Sequence, residues 1–530
     1  MADLSTSEAV VGRVTVRDAA SAGAAATVLG LGTGEALGRL LPGGASPLDA
    51  LGGQVVGRLP GGVIALAIEV LGTANRPVLT TVSVVVAVAA GALAGIGARR
   101  RWTLAAAVFS AAAGLALLAL DAQTGTAFPI ALLVVAGALA AGLSVLWLAL
   151  DRARVATVTR APAGPAAGDP TDPPIQRRAV LSIVGGSAVA GLALGAFGRA
   201  GSRSTATVPA STTPLPAPAV PAPTLPADAD VAGQIDGLSP LFTPNDDFFR
   251  IDTAIAVPRV DAGSWRLRIH GLVERELEFD LDTLLARELV EVDATIACVS
   301  NEVGGDLIGN ARWLGVPLTE LLAEAGPTAG AEQVLGRSVD GWTGGFPLEL
   351  VGDGREAILA LGMNGEPLPV RHGFPARLIV PGLYGYVSAT KWIESIELTP
   401  WEGVDGYWVP RGWSKQGPVK TSARIDVPAA SASVVAGSVL IAGMAWAPPE
   451  GLTRVEVRVD DTDPWLEAEL APTTSGALWR PGRRAVDLAP GGHRLVVRAV
   501  DADGEVQLEG PRPPAPDGAE GWHTVTVDVV

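Results

Sequence analysis

The sequence predicts three parts in series: a multi-span α-helical membrane region, an α+β domain, and an all-β immunoglobulin-like sandwich. Three observations predict it. Long Ala/Leu/Val/Gly runs fill the chain up to about residue 198; short strands and short helices mix between 237 and 427; strand-like runs separated by turn residues recur from 428 to 530. At 530 residues the chain is also too long for one ordinary domain.

A helix needs roughly 20 apolar residues to cross a bilayer. Four uncharged stretches reach that length: 77–98, 102–120, 128–150 and 179–198. Two weaker stretches, 19–41 and 59–74, are interrupted by Glu35, Arg39 and Glu69, and read either as spans or as re-entrant or interfacial helices. Residues 1–198 are therefore expected to hold four to six transmembrane helices. Arg99, Arg100 and Arg101 share one loop, 121–127 has no basic residue, and Arg152, Arg154, Arg160, Arg177 and Arg178 follow the next stretch. With arginine loops inside, the final span runs outward and residues from about 199 are extracytoplasmic. Arg177-Arg178 before a Gly/Ala-rich run also resembles a twin-arginine export signal; positive-inside anchoring explains the pair equally well. Residues 199–236, centred on PLPAPAVPAP, favour polyproline II and are expected to form a semi-rigid stalk.

Composition excludes several functions. The formal charge of −16 argues against nucleic-acid binding, which needs a basic face. A single cysteine cannot form an internal disulfide, a CxxC pair, a haem attachment or a Cys-ligated iron–sulfur cluster. The histidines are His270, His372, His493 and His523, so the hydrophobic half offers no bis-histidine haem. Electrons that cross the membrane need another protein to carry them.

In the α+β domain, alternation over 265–270 reads as a half-buried strand broken at Gly271, and 282–285 and 317–322 read as short helices. An apolar strand, 295–297, delivers Cys298 to a polar loop that continues through Asn301 to Gly304-Gly305. A lone cysteine is more often buried and inert than reactive. Further on, His372, Arg377 and Lys391 bracket an apolar strand between Gly-rich loops. Backbone N–H groups and an Arg fork in that setting suit a phosphate-like anion.

In order and spacing, the cysteine segment, GNARWLGVPLTELL (309–322), MNGEPLP (363–369), HGFPARLIVPG (372–382) and the closing Lys391-Trp392 resemble the sulfite oxidase family over roughly 240–530. The middle part is thereby expected to be a sulfite-oxidase-like molybdopterin domain, in a bacterial, membrane-anchored member of the family. The resemblance implies one molybdenum held by a pterin dithiolene and by Cys298, as catalytic residue and metal ligand together. It implies that His372, Arg377 and Lys391 hold the pterin and its phosphate, with Ala389 and Thr390 in the loop closing over it. The segment 245–252 is similar to the family's first cofactor-contacting stretch and offers Asn245, Phe249, Arg250 and Asp252; Asn301 and Asp340 complete the expected set. Trp342 stands where the family places an active-site tyrosine, and is expected to be catalytic. The family's Gly-Asn-Arg-Arg after the cysteine is here Ser300-Asn301-Glu302-Val303, so the cationic substrate site is gone and sulfite is a poor fit.

The cofactor expected is molybdenum-molybdopterin, without haem, iron–sulfur cluster or flavin, coupled to a separate cytochrome or quinone-linked electron partner. Strands expected at 438–444, 454–459, 465–470, 494–499 and 523–529 make the immunoglobulin-like part, through which the resemblance implies homodimerisation. Trp401, Trp408, Trp413, Lys415 and Lys420 line a substrate mouth on one reading and belong to core or interface on the other. The function expected is two-electron oxygen-atom transfer. Reduction of a sulfoxide or other S- or N-oxide is the alternative within enzymes, and a receptor or scaffold with a degenerate cofactor domain the alternative outside them.

Overall fold

The computed structural model describes residues 14–41, 44–56, 75–124, 128–158, 175–204, 214–254, 257–461 and 464–530. They fall into two compact units, Met1–Val208 with Ala254–Arg259, and Pro209–Thr253 with Val260–Val530.

The first unit is helical: α1 (Val16–Leu40), α2 (Pro47–Val56), α3 (Asn75–Ala98), α4 (Trp102–Thr124), α5 (Phe128–Val158) and α6 (Ile175–Ser204). Among the described residues, 78–98, 102–120, 128–152 and 181–198 are long and apolar enough to cross a membrane. They carry bare apolar side chains such as Leu93, Leu118 and Leu192, each more than 60 % exposed. The weak stretch 59–74 lies outside the described residues.

The other weak stretch became α1, against which α3, α5 and α6 all pack. Glycine makes that approach close: a Cβ on Gly23 would strike the Gly91 carbonyl, and one on Gly32 the Gly191 backbone. Its interrupting charges are paired internally. Arg39 Nε donates to Glu35 Oε2 at 3.0 Å, Arg39 Nη2 to Asp49 at 2.5 Å, and Ser46 Oγ to Glu35 Oε1 at 2.5 Å. A helix shielded by its neighbours can afford these residues, which is why its hydropathy signal is weak.

The second unit begins with a difference from expectation. From Pro214 the Pro/Ala segment is not a free stalk but lies along the domain. Ala219 N donates to Leu289 O at 2.8 Å, Glu291 N to Val220 O at 2.9 Å, and Ala229, Val231 and Ile235 enter the core. An extended segment without internal hydrogen bonds can offer its backbone to a strand edge, and its scattered apolar residues do the rest.

The cofactor-type domain has two sheets. One has the order β2 (Leu277–Phe279), β1 (Leu267–Gly271), β10 (Ile393–Thr399), β5 (Gln333–Ser338), β6 (Thr343–Pro347), with β1 and β10 parallel. The other runs β3 (Val290–Ala297), β4 (Ile308–Pro317), β7 (Ile358–Met363), β8 (Glu366–Pro367), and β9 (Arg377–Ile379) also pairs with β7. Helix α7 (Leu281–Leu285) is capped by Asp280, whose carboxylate accepts from Thr283 N. Helix α8 (Leu318–Ala325) ends at Gly326 in the left-handed region, as the Gly-Pro stop predicts. One core, with Trp313 fully buried, fills the space between these elements.

The last part consists of two facing sheets around a core of their own. The first has the order β11 (Ser422–Val427), β13 (Gly437–Trp446), β17 (Arg480–Leu488), β16 (Glu469–Leu470). The second runs β12 (Ser433–Val434), β19 (His523–Val529), β18 (Gly491–Asp501), β14 (Leu452–Val459), β15 (Leu466–Glu467). β11 precedes the expected boundary at 428 yet pairs with β13. The expected strand 465–470 is two short ones, in different sheets. β17 was not expected, since its Arg-Pro-Gly-Arg-Arg start hides the alternation.

Candidate active site

From Val292 on, β3 is buried on both faces, its Asp293 paired with Arg312, and it ends one residue before Cys298. Cys298 N donates to Leu307 O at 2.9 Å, and Asn301 N to Cys298 O at 3.0 Å. Asn301 Oδ1 accepts from Leu307 N at 2.8 Å, so its side chain closes the loop from within. The loop is braced from outside as well. Arg424 Nη1 donates to Gly305 O at 2.7 Å, the His523 ring packs on Gly304, and Trp479 N donates to Thr295 Oγ1 at 2.8 Å. Burial pushes the Cys298 thiol up, while Ser300 and Lys391 oppose the shift. An unliganded thiol here stays protonated; a metal cation would have to draw the proton off. Glu302 is exposed.

Across from it, β9 and the loop after α9 (Gly385–Ser388) gather cations. Arg377 is 5 % exposed; Nη1 donates to His372 O at 3.1 Å, and its guanidinium lies 5.0 Å over the Trp313 ring. Burial lowers it to about 9. Lys391 Nζ donates to Asp252 Oδ2 at 2.8 Å and Ile251 O at 3.0 Å; burial, against the pull of Asp252, lowers it to about 8. Arg250 pairs with the same carboxylate at 2.7 Å. Burial would raise Asp252, yet Lys391 and Arg250 hold it far below the usual carboxylate range. Positive charge is in excess. Gly373, at φ +118°, is required here, because a Cβ would press on Arg377 and Lys391 at 3.1–3.2 Å.

The approach segment is strapped on by amides. Asn310 Nδ2 donates to Leu241 O at 2.9 Å, and Asn364 Nδ2 to Thr243 O and Asn245 Oδ1, both at 2.9 Å. This delivers the Asn245 carbonyl to His372 Nε2 at 2.7 Å, which puts the proton of the neutral ring on that nitrogen. Phe248, 2 % exposed, meets the His372 ring edge-on at 5.7 Å, and Phe249 stacks outside it. Phe248 and Trp313 were missed as site residues, and no sequence signal marks them; Gly309 makes room for the Phe248 ring, where a Cβ would sit 2.8 Å away.

Burial pushes the His372 imidazole down to about 3 from 6.5. Between those values the unfolded chain takes up a proton that the folded chain refuses, so stability falls as pH falls. One proton is worth about 2 kcal/mol between pH 6.5 and 5. Thermal unfolding of the full chain should show this slope, and His372→Asn should flatten it; equal slopes would sink the assignment.

Asp340 accepts from Trp342 N at 3.1 Å, and burial raises its carboxyl. The Trp342 ring covers Gly344, whose Cβ position is also 3.1 Å from Val387 O of α9. Gly385, at the other end of α9, packs against Ile296 and Ala297. α9 thus lies between the cysteine strand and Trp342; among the expected residues, Trp342 stands apart from the cation cradle.

Among the described residues, Arg377 Nε and Thr390 Oγ1 are buried with no hydrogen-bond partner. Two orphaned donors beside surplus positive charge call for an anion that the described residues do not supply. A pterin phosphate fits: Arg377, Thr390 and Lys391 would hold it, and Cys298 offers the soft donor for its metal.

The sequence comparisons agree. Residues 254–408 match the oxidoreductase molybdopterin binding domain. This defines the class, a molybdopterin-dependent oxidoreductase. The oxidoreductase YuiH of Bacillus subtilis is 33 % identical over 159 residues, 30 % of this chain and 76 % of YuiH. Chicken sulfite oxidase is 28 % identical over 324 residues, 51 % of this chain and 69 % of that one. The sulfane dehydrogenase SoxCD structure from Paracoccus pantotrophus covers 53 % of this chain and 80 % of its own at 25 % identity, with a TM-score of 0.47. The chain belongs to the sulfite oxidase family, and its cofactor is molybdenum-molybdopterin. Its span of some vertebrate relatives is smaller, 62 % of the mouse sulfite oxidase.

Proposed function

We propose that this chain is a membrane-anchored oxidoreductase that carries out two-electron oxygen-atom transfer outside the cytoplasm, on a substrate other than sulfite. When bound, the cofactor supplies two-electron redox chemistry coupled to gain or loss of an oxygen atom. In the oxidative direction, substrate and water give oxygenated substrate, two protons and two electrons. The electrons leave through a separate cytochrome or quinone-linked partner. Arg377, Thr390 and Lys391 would bind the phosphate, His372 and Asn245 would fix the pterin side of the pocket, and Cys298 would hold the metal; Trp342, expected to be catalytic, lies across α9 from the cysteine strand.

The observation that carries this reading is the surplus of buried cations, among which Lys391 acts on Cys298, with two donors orphaned among the described residues. It also argues against a non-catalytic scaffold, which has no use for so costly an arrangement. Anchoring is supported by the four apolar helices and their bare outer side chains, and sidedness by the arginine loops. We read Arg177-Arg178 as a twin-arginine signal, since a domain folded around a cofactor needs export in the folded state. The last two sheets are read as an immunoglobulin-like domain through which two copies pair. Glu302 and Val303, in place of arginines, speak against sulfite. They favour the second reading, reduction of an uncharged S- or N-oxide.

Full-length protein from a host that makes the cofactor should contain about one molybdenum per chain. Protein without molybdenum would refute the proposal. Protease added to intact spheroplasts should remove the soluble half; cleavage only in inverted vesicles would reverse the sidedness.

A further inference from the structure

The segment after β10 is a strap of aromatics and cations laid across α9. Tyr407 N donates to Thr343 O at 2.9 Å, Tyr384 N to Gly417 O at 2.7 Å, and Tyr386 Oη to Ser414 O at 2.7 Å. The rings form a row that runs from half-exposed Tyr407, Trp408 and Trp413 to buried Tyr386: Tyr407 to Trp408 at 5.1 Å, Trp408 to Trp413 at 6.3 Å, Trp413 to Tyr386 at 6.0 Å. A loop ahead of β19 closes over the other side. Ser414 N donates to Pro516 O at 2.9 Å, and Gly518, at φ +110°, leaves no room for a Cβ beside the Tyr384 hydroxyl. Tyr384 packs under that loop at Gly518, and its neighbour Gly385 lies against Ile296 and Ala297 of the cysteine strand. Burial pushes its phenol up to about 12, and Cys298, Asp517 and Glu520 act on it in the same direction.

The strap's cations each have partners, although Arg411 Nε is buried without one among the described residues. Lys420 Nζ lies 3.2 Å from Asp517 and 3.7 Å from Glu520. Lys415 Nζ donates to Asp405 at 2.8 Å and to the Trp401 carbonyl, and lies 4.7 Å from the Trp401 ring. Arg411 stacks 3.6 Å over Tyr407 and donates to its carbonyl at 2.5 Å. Arg512 Nη1 also lies 3.0 Å from Glu520, so two cations and two carboxylates balance in that corner. An oxyanion would have to displace a carboxylate from Lys420 to bind there. Flat apolar groups meet no such barrier and gain from the indole faces.

We propose that the strap 407–420 and the loop 511–521 form the substrate mouth, and that it selects an uncharged organic substrate whose apolar group rests on Trp408 and Trp413. This rests on the reading of Cys298 as the reacting centre. In either direction of oxygen transfer the selected feature is the neutral apolar flank, set by Trp408, Trp413 and the Lys420–Asp517–Glu520 cluster.

The test is calorimetry on molybdenum-loaded full chain in detergent, with protein-free micelle heats subtracted, using methyl phenyl sulfoxide and sulfite as probes. The sulfoxide should bind, with sulfite at least about tenfold weaker, and Trp408→Ala should weaken the sulfoxide about tenfold at unchanged molybdenum content. Asp517→Asn with Glu520→Gln frees Lys420 and should strengthen sulfite about tenfold without strengthening the sulfoxide. Sulfite binding as tightly as the sulfoxide, no sulfoxide binding, or variants that change neither affinity would each overturn the proposal. Metal analysis of the same samples separates the readings: protein without molybdenum sinks the cofactor assignment, whereas a loaded protein with the wrong preference sinks the mouth alone.

Discussion

Replacing Cys298 by serine is expected to cut turnover about a thousandfold or more while leaving the fold in place. The backbone bonds of the loop run through Cys298 N and O, Asn301 and Leu307, none of which needs the thiol. Serine is smaller and fits where the cysteine is 8 % exposed. What changes is the donor. Burial already raises the thiol, and a serine hydroxyl is far harder to ionise and harder as a ligand. Losing the thiolate should cost about 4 kcal/mol or more of transition-state stabilisation, roughly a thousandfold in rate. The pterin should remain, because its phosphate is held by Arg377, Thr390 and Lys391. Molybdenum by mass spectrometry, set against pterin fluorescence after denaturation, separates these effects. A variant with wild-type molybdenum and turnover would show that Cys298 is a buried structural residue.

Much of this site was legible in sequence, and what was not has physical reasons. Cys298, His372, Arg377 and Lys391 could be read because each sits at a strand end or in a Gly-rich loop, where polar chemistry interrupts an apolar run. Phe248 and Trp313 could not, because a buried ring that carries an Arg or a His looks like any core aromatic. Asn310 and Asn364 were opaque for a similar reason: their bonds go to backbone atoms more than 50 residues away. The Pro/Ala segment misled because composition reports that a stretch cannot build a core of its own, not that it cannot lie on another. α1 misled in the opposite sense. Glu35 and Arg39 weaken its hydropathy, yet they pair with each other and with Ser46 and Asp49, while glycines bring the neighbouring helices close.

Arg377→Met is expected to act with opposite sign on the two forms of the protein. In the cofactor-free chain Arg377 is a buried guanidinium whose Nε lacks a partner among the described residues, and burial has pulled it down to about 9. Methionine keeps the length and the contact with Trp313 while removing an uncompensated charge. The cofactor-free protein should therefore gain about 2 kcal/mol. The loaded protein loses the strongest donor facing the phosphate. Truncating one partner of a buried charged pair costs about 3 kcal/mol, so retention of the cofactor should drop about a hundredfold. Lys391→Met makes a sharper comparison, since it also strips Asp252 of a counter-ion that Arg250 alone must replace. Its cofactor-free form should gain less, or lose. Protonation adds an independent check. Lys391 falls to about 8 from 10.5, so between those values the unfolded chain holds the extra proton, and stability of the cofactor-free protein should rise with pH. Bound phosphate should restore the ordinary value and remove that slope. Unfolding midpoints of wild type, Arg377→Met and Lys391→Met, each with and without cofactor at pH 7 and 9, measure every term. If Arg377→Met destabilises the cofactor-free chain, an internal counter-charge already satisfies Arg377, and the phosphate cradle is misassigned.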